Sequence, residues 1–520
     1  MKTQTKTISY NPATGSQIGE SPLHSIEDLA KMMSESRAAQ KEWQKLSVKE
    51  RGKRILKIKD YLVDNLDSIS KTISDDNGKV RFDALATEVF PAVMATKYYV
   101  KNAPKFLKER RIPFSSIVLA NKCSRIRFEP FGVVGIISPW NYPFAIPYSE
   151  VIMALIAGNG VILKTATETQ MVGKALKDAV NSADLPKGLF QFINMPGRVA
   201  GEAFLKSGID KLFFTGSVPV GKLLMKQAAD TLTPVSLELG GNDAMLVCED
   251  ADIDRAVNGA VWAGLSNTGQ SCGGVERIYV HQKIYDKFMD SLKVKIESLK
   301  IGSPSDFNTD VGVMTTEKQV NTVNLHLDDA LKNGAILFAE SKAEDNSKNI
   351  LTPKVVTNVN HNMLMMKEET FGPLLGVMKV ENMDEAVELA NDSSLGLTGS
   401  VWSKNHKKGI ELATRIKAGT ITINDHLMSH GLAETSWGGF KESGVGRTHG
   451  EMGLMEMVEP QTIINDILPG VKKNIWWHPY SKDLYDGLKS IVYLFYGNSL
   501  SMKLKNLLKP LIVIPRMFKK

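Results

Sequence analysis

Asn267-Thr-Gly-Gln-Ser-Cys-Gly-Gly-Val-Glu-Arg277 sets one cysteine among small residues. A thiol nucleophile needs room for a carbonyl to approach, a base nearby and a donor for the oxyanion. Gly269, Ser271, Gly273 and Gly274 give Cys272 an open, bendable backbone. Upstream, Leu237-Glu-Leu-Gly-Gly241 offers Glu238 as the base, and Ser138-Pro-Trp-Asn-Tyr-Pro-Phe144 offers Asn141 as the oxyanion donor. Each signal is weak alone, because a solitary cysteine is mostly a small buried hydrophobe.

Outward from this stretch the chain alternates. Leu29 to Asp67 has helical apolar spacing, broken at Ser47 as a cap, and Arg127 to Ile137 reads as β before the turn at Ser138. Gly160–Lys164 is a short buried strand, with a helix from Thr169 to Ser182. Leu189–Ile193 and Lys211–Thr215 repeat the pattern, and a helix is expected from Lys222 to Ala229. The alternation restarts after Gly241, through Ala244–Val247, Arg277–Val280, Gly376–Val380 and Gly399–Trp402. Alternating strand and helix predicts parallel sheets, here in two α/β domains with the nucleophile near the start of the second.

The 520 residues, 43% of them hydrophobic, suit two or three domains. Cys123, Cys248 and Cys272 are far apart, so neither a disulfide framework nor a zinc cluster is indicated, and a reducing cytoplasm suits a catalytic thiol. The N-terminal residues show no apolar run, which predicts no secretory signal. The net charge of +7 is concentrated: residues 471–520 hold ten Lys/Arg against two Asp/Glu, leaving the rest at −1. A near-neutral body of this kind points away from nucleic acid.

Two stretches suggest ligand sites. Thr215-Gly-Ser-Val-Pro-Val-Gly221 is a glycine turn entering a helix, which presents N–H groups to phosphate, though it lacks the G-x-G-x-x-G spacing. Lys164 closes a strand, where ligands of open α/β sheets bind. His426 and His430 have i, i+4 spacing but no third ligand near them, so a structural loop is expected and no metal.

Together with Glu368-Glu-Thr-Phe-Gly-Pro373 and Trp437-Gly-Gly-Phe-Lys-Glu-Ser-Gly444, these motifs resemble the aldehyde dehydrogenase superfamily from about Thr7 to about Asp466. The resemblance implies two Rossmann-like parallel-sheet domains plus a small β oligomerisation element. Residues 1–112 and 129–240 would form the cofactor-binding domain and 241–455 the catalytic domain. A hairpin at 113–128 and a strand within 456–467 would serve a homodimer or homotetramer, leaving 468–520 as an extension. It assigns Gly216, Ser217 and Gly221 to the cofactor, Trp140 to the pyrophosphate region, Glu369 to the nicotinamide ribose and Phe371 to the nicotinamide end. The family usually has a glutamate where this chain has Thr167, with Glu168 one place late. A carboxylate would repel a 2′-phosphate, so NAD and NADP both stay open, Lys164 serving either. Asn424 and the Lys441-Glu442 pair match structural positions.

The chemistry implied is oxidation of an aldehyde to a carboxylic acid through a Cys272 thiohemiacetal and thioester, with Glu238 activating water. An idle scaffold in the same fold is disfavoured by the intact Cys272, Glu238 and Asn141. Phe144 and Tyr148 are expected to line the substrate tunnel. Medium or long-chain apolar aldehydes are favoured, with a small polar semialdehyde, such as succinic semialdehyde, as the alternative.

The tail carries Trp476, Trp477, Tyr480, Tyr485, Tyr493 and Tyr496 with Lys503, Lys505, Lys509, Arg516, Lys519 and Lys520, a set suited to a membrane interface. Two outcomes stay open: peripheral contact at the inner face of a membrane, or extra helices packed over the catalytic domain.

Overall fold

In the computed structural model, which describes residues 5–343, 347–468 and 470–518, two mostly parallel sheets carry the chain. The first runs, in spatial order, Gly444–Val445, Val235–Glu238, Lys211–Thr215, Val133–Ile137, Gly160–Lys164 and Phe190–Ile193. All its neighbours pair in parallel except the two-residue edge at Gly444. The second runs Ile336–Glu340, Lys354–Thr357, Leu374–Val380, Val275–His281, Asp243–Val247, Thr398–Trp402 and Thr420–Ile423, with only its first pair antiparallel. The inner strands of both are buried on both faces, as unbroken runs such as Val133-Val-Gly-Ile-Ile137 require.

Ser47 caps helix Val48–Asp64, accepting from the Glu50 N–H in a capping box, so the Leu29–Asp67 stretch is two helices as its spacing implied. The Arg127–Ile137 stretch is not one strand. It divides into Lys122–Pro130 and Val133–Ile137, because Gly132 takes a φ of 134° that turns the backbone between them. The helix expected at Lys222 starts earlier, at Val218, with Pro219 in its first turn.

By its internal contacts the chain divides into residues 1–107 with 129–459, and 108–128 with 460–520. The second unit holds the hairpin. Its first arm is Arg110–Ile112, ahead of Pro113 where the sequence placed the start, and Lys122–Pro130 lies between that arm and strand Val458–Asp466. Lys122 pairs with Asp466, which Asn121 Nδ2 also reaches at 3.0 Å. Of the tail's basic set, Lys519, Lys520 and the Arg516 side chain lie outside the described residues.

Candidate active site

The strands of the first sheet end together, and their C-terminal ends supply one cleft. Glu238 is the last residue of its strand, Thr215 and Lys164 are the last of theirs, and the chain leaving Ile137 brings Trp140 and Asn141. Cys272 reaches the cleft from the second sheet, between helix Ile253–Leu265 and strand Val275–His281. The wall of the cleft joins Asn141, Glu238 and Cys272 with Gly216, Ser217, Glu369 and Phe371. Trp140 meets Phe371 edge-on at 5.4 Å.

The approach to Cys272 is held in an unusual backbone. Asn267, Thr268 and Gly269 all have positive φ, at 52°, 57° and 71°. Two of the three carry a Cβ, so the surroundings must hold the turn. The Asn267 N–H donates to Asp83 Oδ2 at 2.8 Å, and its side chain donates to the carbonyls of Asn141 (2.8 Å) and Gln270 (3.2 Å). Asn141 Nδ2 donates to the same Gln270 carbonyl at 3.1 Å. One of its two amide hydrogens is thereby committed, leaving the other for an oxyanion.

Several glycines are dictated by close approach. A Cβ on Gly241 would collide with the Cys272 carbonyl, and one on Gly240 would sit 2.5 Å from a Glu369 carboxylate oxygen. A Cβ on Gly269 would strike the Gly372 carbonyl, and Gly372 is itself closed off by Val323. Glu369 Oε1 accepts from the Gly241 N–H at 3.1 Å.

Sequence reasoning missed the residues that brace this arrangement. Lys79 Nζ donates to Glu88 Oε1 (2.6 Å) and to the Asn141 carbonyl (2.9 Å), and Glu88 Oε2 accepts from the Phe144 and Ala145 N–H groups. Glu88 lies in a π turn, Leu85–Val89, of the kind that recurs at functional sites. Glu276 accepts from the Thr370 and Phe371 N–H groups at 2.9 and 2.8 Å, which fixes the loop carrying Glu369 and Phe371. Lys79 and Glu88 stand in no motif and act through distant backbone; Glu276 lies inside the Asn267–Arg277 stretch, but nothing local marks its reach to the Thr370 and Phe371 N–H groups.

Burial pushes the Cys272 thiol up, and the carboxylates of Glu369, Asp243 and Glu238 add to this. Burial also raises Glu238 well above the usual carboxyl range, with Glu150 adding and Arg447 opposing. Burial takes Glu150 to about 8, the Thr215 hydroxyl opposing, and Glu276 to about 8 against its two N–H donors. The shifts on Cys272 and Glu238 both disfavour the charged form, of the thiol and of the carboxyl alike. Behind them a cavity of about 10 Å³, one water in size, is lined by Glu238, Glu150, Thr448, His430 and His449. Glu238 Oε2, Glu150 Oε2, Thr448 Oγ1 and His449 Nδ1 have no hydrogen-bond partner among the described residues.

On the other side, a cavity of about 280 Å³ opens onto Cys272. Phe82, Pro91, Tyr142, Ile146, Trp262, Leu427, Met428 and Trp437 supply its apolar wall, and no Lys or Arg lines it. Its His430 is held neutral, its pKa lowered by burial to about 4. Phe144 and Tyr148 are not wall residues. Both are fully buried, stacked at 5.5 Å, with the Tyr148 hydroxyl bonded to Thr96. Helix Ala145–Ala157 is buried on every side, so the tunnel face falls to Ile146 and, just before the helix, Tyr142.

The remaining sequence candidates lie around the cleft. Lys164 is buried, and its ammonium makes no hydrogen bond or ion pair among the described residues; burial lowers its pKa, Glu168 opposing. Thr167 and Glu168 are exposed on a 3₁₀ turn. The Ser217 side chain does not cap helix Val218–Ala228, though its carbonyl accepts from the Gly221 N–H at 3.0 Å, and Gly221 packs where a Cβ would meet Leu239. His426 is a structural residue, bonded to Ser400 (2.8 Å), Thr398 (3.1 Å) and the Gly273 carbonyl (3.1 Å) behind the nucleophile. Asn424 ties down Ser403, Lys441 the carbonyls of Asn391 and Ser393, and Glu442 pairs with Lys222.

The model of the Aldehyde dehydrogenase family matches residues 1–463. A protein called 4,4'-diapolycopene aldehyde oxidase, from a Methylomonas species, is 38% identical over 493 residues, covering 95% of this chain and 92% of the relative. A putative succinate-semialdehyde dehydrogenase [NADP(+)] 2 from Mycobacterium ulcerans (strain Agy99) is 36% identical, covering 89% and 90%. Among solved structures, an aldehyde dehydrogenase from Brucella melitensis biovar abortus 2308 superposes with a TM-score of 0.85 at 32% identity, covering 89% of this chain and 94% of that one. An aldehyde dehydrogenase from Bacillus cereus, solved as an NAD+ complex, gives 0.84 at 32% identity, covering 89% and 93%. With a buried cysteine, a buried carboxyl and a side-chain amide gathered at the strand ends, and with these matches along its length, the chain belongs to the aldehyde dehydrogenase family.

Proposed function

We propose that the protein oxidises medium or long-chain apolar aldehydes to carboxylic acids, using NAD or NADP. The observation that carries the substrate reading is the apolar cavity at Cys272, whose lining includes neither Lys nor Arg. A semialdehyde carboxylate entering it would lose its hydration without a cationic partner, a cost of several kcal/mol.

Cys272 gives its proton to Glu238 and attacks the carbonyl carbon, forming a thiohemiacetal. The Asn141 amide and the Cys272 N–H stabilise its oxyanion. A bound nicotinamide would accept the hydride that this carbon releases, which is the chemistry the cofactor supplies. Glu238 gives up the thiol proton to solvent and, ionised again, takes a proton from water attacking the thioester carbon; the C–S bond breaks, the acid departs and the sulfur leaves as thiolate, which Glu238 reprotonates. A base at this position favours water over another acyl acceptor.

The residues present fit the cofactor. The helix start at Ser217, without a side-chain cap, would present N–H groups to phosphate, and buried Lys164, whose ammonium has no hydrogen-bond partner among the described residues, would meet the adenosine end. Glu369 would hold the nicotinamide ribose, with Trp140 and Phe371 around it. An exposed Thr167, in place of a carboxylate, supports NADP as well as NAD.

The exposed edge strand Arg110–Ile112 and the exposed strand Val458–Asp466 support a homodimer or homotetramer. A cytoplasmic protein in peripheral contact with a membrane through 468–520 completes the reading. The test is a panel of aldehydes, hexanal, decanal and succinic semialdehyde, run with both cofactors and followed by NAD(P)H absorbance. Higher kcat/KM for decanal is expected; a preference for succinic semialdehyde overturns the apolar reading.

A further inference from the structure

After the strand ending at Asp466, the tail turns its composition inside out. It folds as helices Lys482–Tyr496 and Leu500–Lys505, a 3₁₀ turn at Lys509–Val513 and a last turn at Ile514–Phe518. Beside Leu484 and Val513, small and polar residues lie inside. Gly487 sits where a Cβ would come within 2.7 Å of Val513, and Ser490 and Asn506 are only 4% and 7% exposed. Their polar atoms are satisfied locally, Ser490 Oγ by the Asp486 carbonyl and Asn506 Nδ2 by the Met502 carbonyl.

Large apolar residues lie outside. Tyr485, Val492 and Tyr496, spaced seven and four, form one helical stripe and are 67%, 50% and 64% exposed. Beyond the end of that helix, Leu500, Leu504, Leu508 and Ile512 are all at least 61% exposed. A surface left in water does not concentrate bulky apolar groups while burying its serine and asparagine.

Charge says what covers it. From Gly487 to Lys520 there are seven Lys/Arg and no Asp or Glu. Lys489, Lys505 and Lys509 are exposed among the apolar positions. A second copy placed face to face would bring these like charges together. No helix among the described residues is long and apolar enough to cross a membrane. We propose that this face docks on the surface of a bilayer containing anionic lipid, its aromatic and leucine side chains entering the headgroup–acyl boundary and its lysines meeting lipid phosphate. This deepens the apolar-aldehyde reading and rests on it for its purpose, delivery of a substrate dissolved in the membrane; its test uses no aldehyde.

Full-length protein is sedimented with vesicles of phosphatidylcholine, with and without phosphatidylglycerol, at low and high salt. Wild type is expected to pellet with the anionic vesicles, roughly tenfold more weakly on neutral ones or after Lys505→Glu with Lys509→Glu, and to be released by salt. Val492→Ser with Leu508→Ser should also weaken it. The charge pair leaves the apolar face intact, so misfolding of the apolar pair would not blunt the result. Wild type that stays in the supernatant with anionic vesicles at low salt, or binds neutral vesicles equally well, overturns the proposal. So does a wild type that ignores vesicles while Val492→Ser with Leu508→Ser lowers its mass at sedimentation equilibrium, since a second copy would then cover the face. Vesicle binding without a preference for long-chain aldehydes would instead overturn the substrate reading and leave the docking face standing.

Discussion

Lys79 Nζ lies 2.6 Å from Glu88 Oε1, and neither side chain is exposed at all. The pair stands beneath Asn141, the proposed oxyanion donor: its cation reaches the Asn141 carbonyl and its anion the two N–H groups that follow Tyr142 and Pro143. Lys79 also sits 4.1 Å over the Tyr142 ring, a wall of the substrate cavity. A stability device and a positioning device are here the same two residues.

Lys79→Met should therefore cost about 3–5 kcal/mol of stability, because it leaves the Glu88 charge buried without its partner. Chemical denaturation of the variant measures this. A loss below about 1 kcal/mol, the range of an exposed pair, would mean that no ion pair is held there.

Removing the Asn141 amide should slow turnover by about two orders of magnitude in Asn141→Ala, the effect of losing one oxyanion donor. Cys272→Ala should abolish aldehyde oxidation and still bind cofactor, read by fluorescence titration. Glu238→Gln should give a burst of NAD(P)H and then stall at the thioester; steady turnover at the wild-type rate would assign deacylation to another base.

The pH profile should report the carboxyl pair. Glu238 works as a base only when ionised, and its pKa is raised by burial and by Glu150. Turnover should therefore fall, as pH drops, well above the range of an ordinary glutamate near about 4.3. Two neighbouring carboxyls oppose each other's ionisation, so Glu150→Gln should move this acid limb to lower pH. An unmoved limb would show that the two groups do not interact in the working enzyme.

Cofactor choice should respond at Thr167. Thr167→Glu places a carboxylate near Lys164, accepting from ribose hydroxyls and repelling a 2′-phosphate. The ratio of kcat/KM for NAD over NADP should rise roughly tenfold, or ~1.4 kcal/mol. An unchanged ratio would mean that Glu168 already fills that role.

The strands were legible because parallel sheets demand unbroken apolar runs, and Gly160–Lys164 and Lys211–Thr215 could hardly be anything else. The cleft was legible because its glycines and its cysteine are local signals. What escaped was whatever depends on contact across the chain. Lys79 and Glu88 look like any charged helical residues until Asn141 is placed above them. Phe144 and Tyr148 have the right spacing for a tunnel wall, but a helix buried on all sides gives no periodicity from which to choose its face. The start of the helix at Val218 was hidden because Val-Pro-Val reads as extended chain, although proline is at home in a first helical turn.

A methyl group on Gly269 would strike the Gly372 carbonyl, and one on Gly372 would strike the Val323 side chain. The loop that carries the thiol and the loop that carries Glu369 are thus fitted to each other like two halves of a hinge that never opens. For descent this closes a path: exchange of either glycine first yields a misshapen site, so mutation cannot pass through one to compensate at the other. Alanine at either position should therefore cost the site its shape, a loss read as lowered turnover.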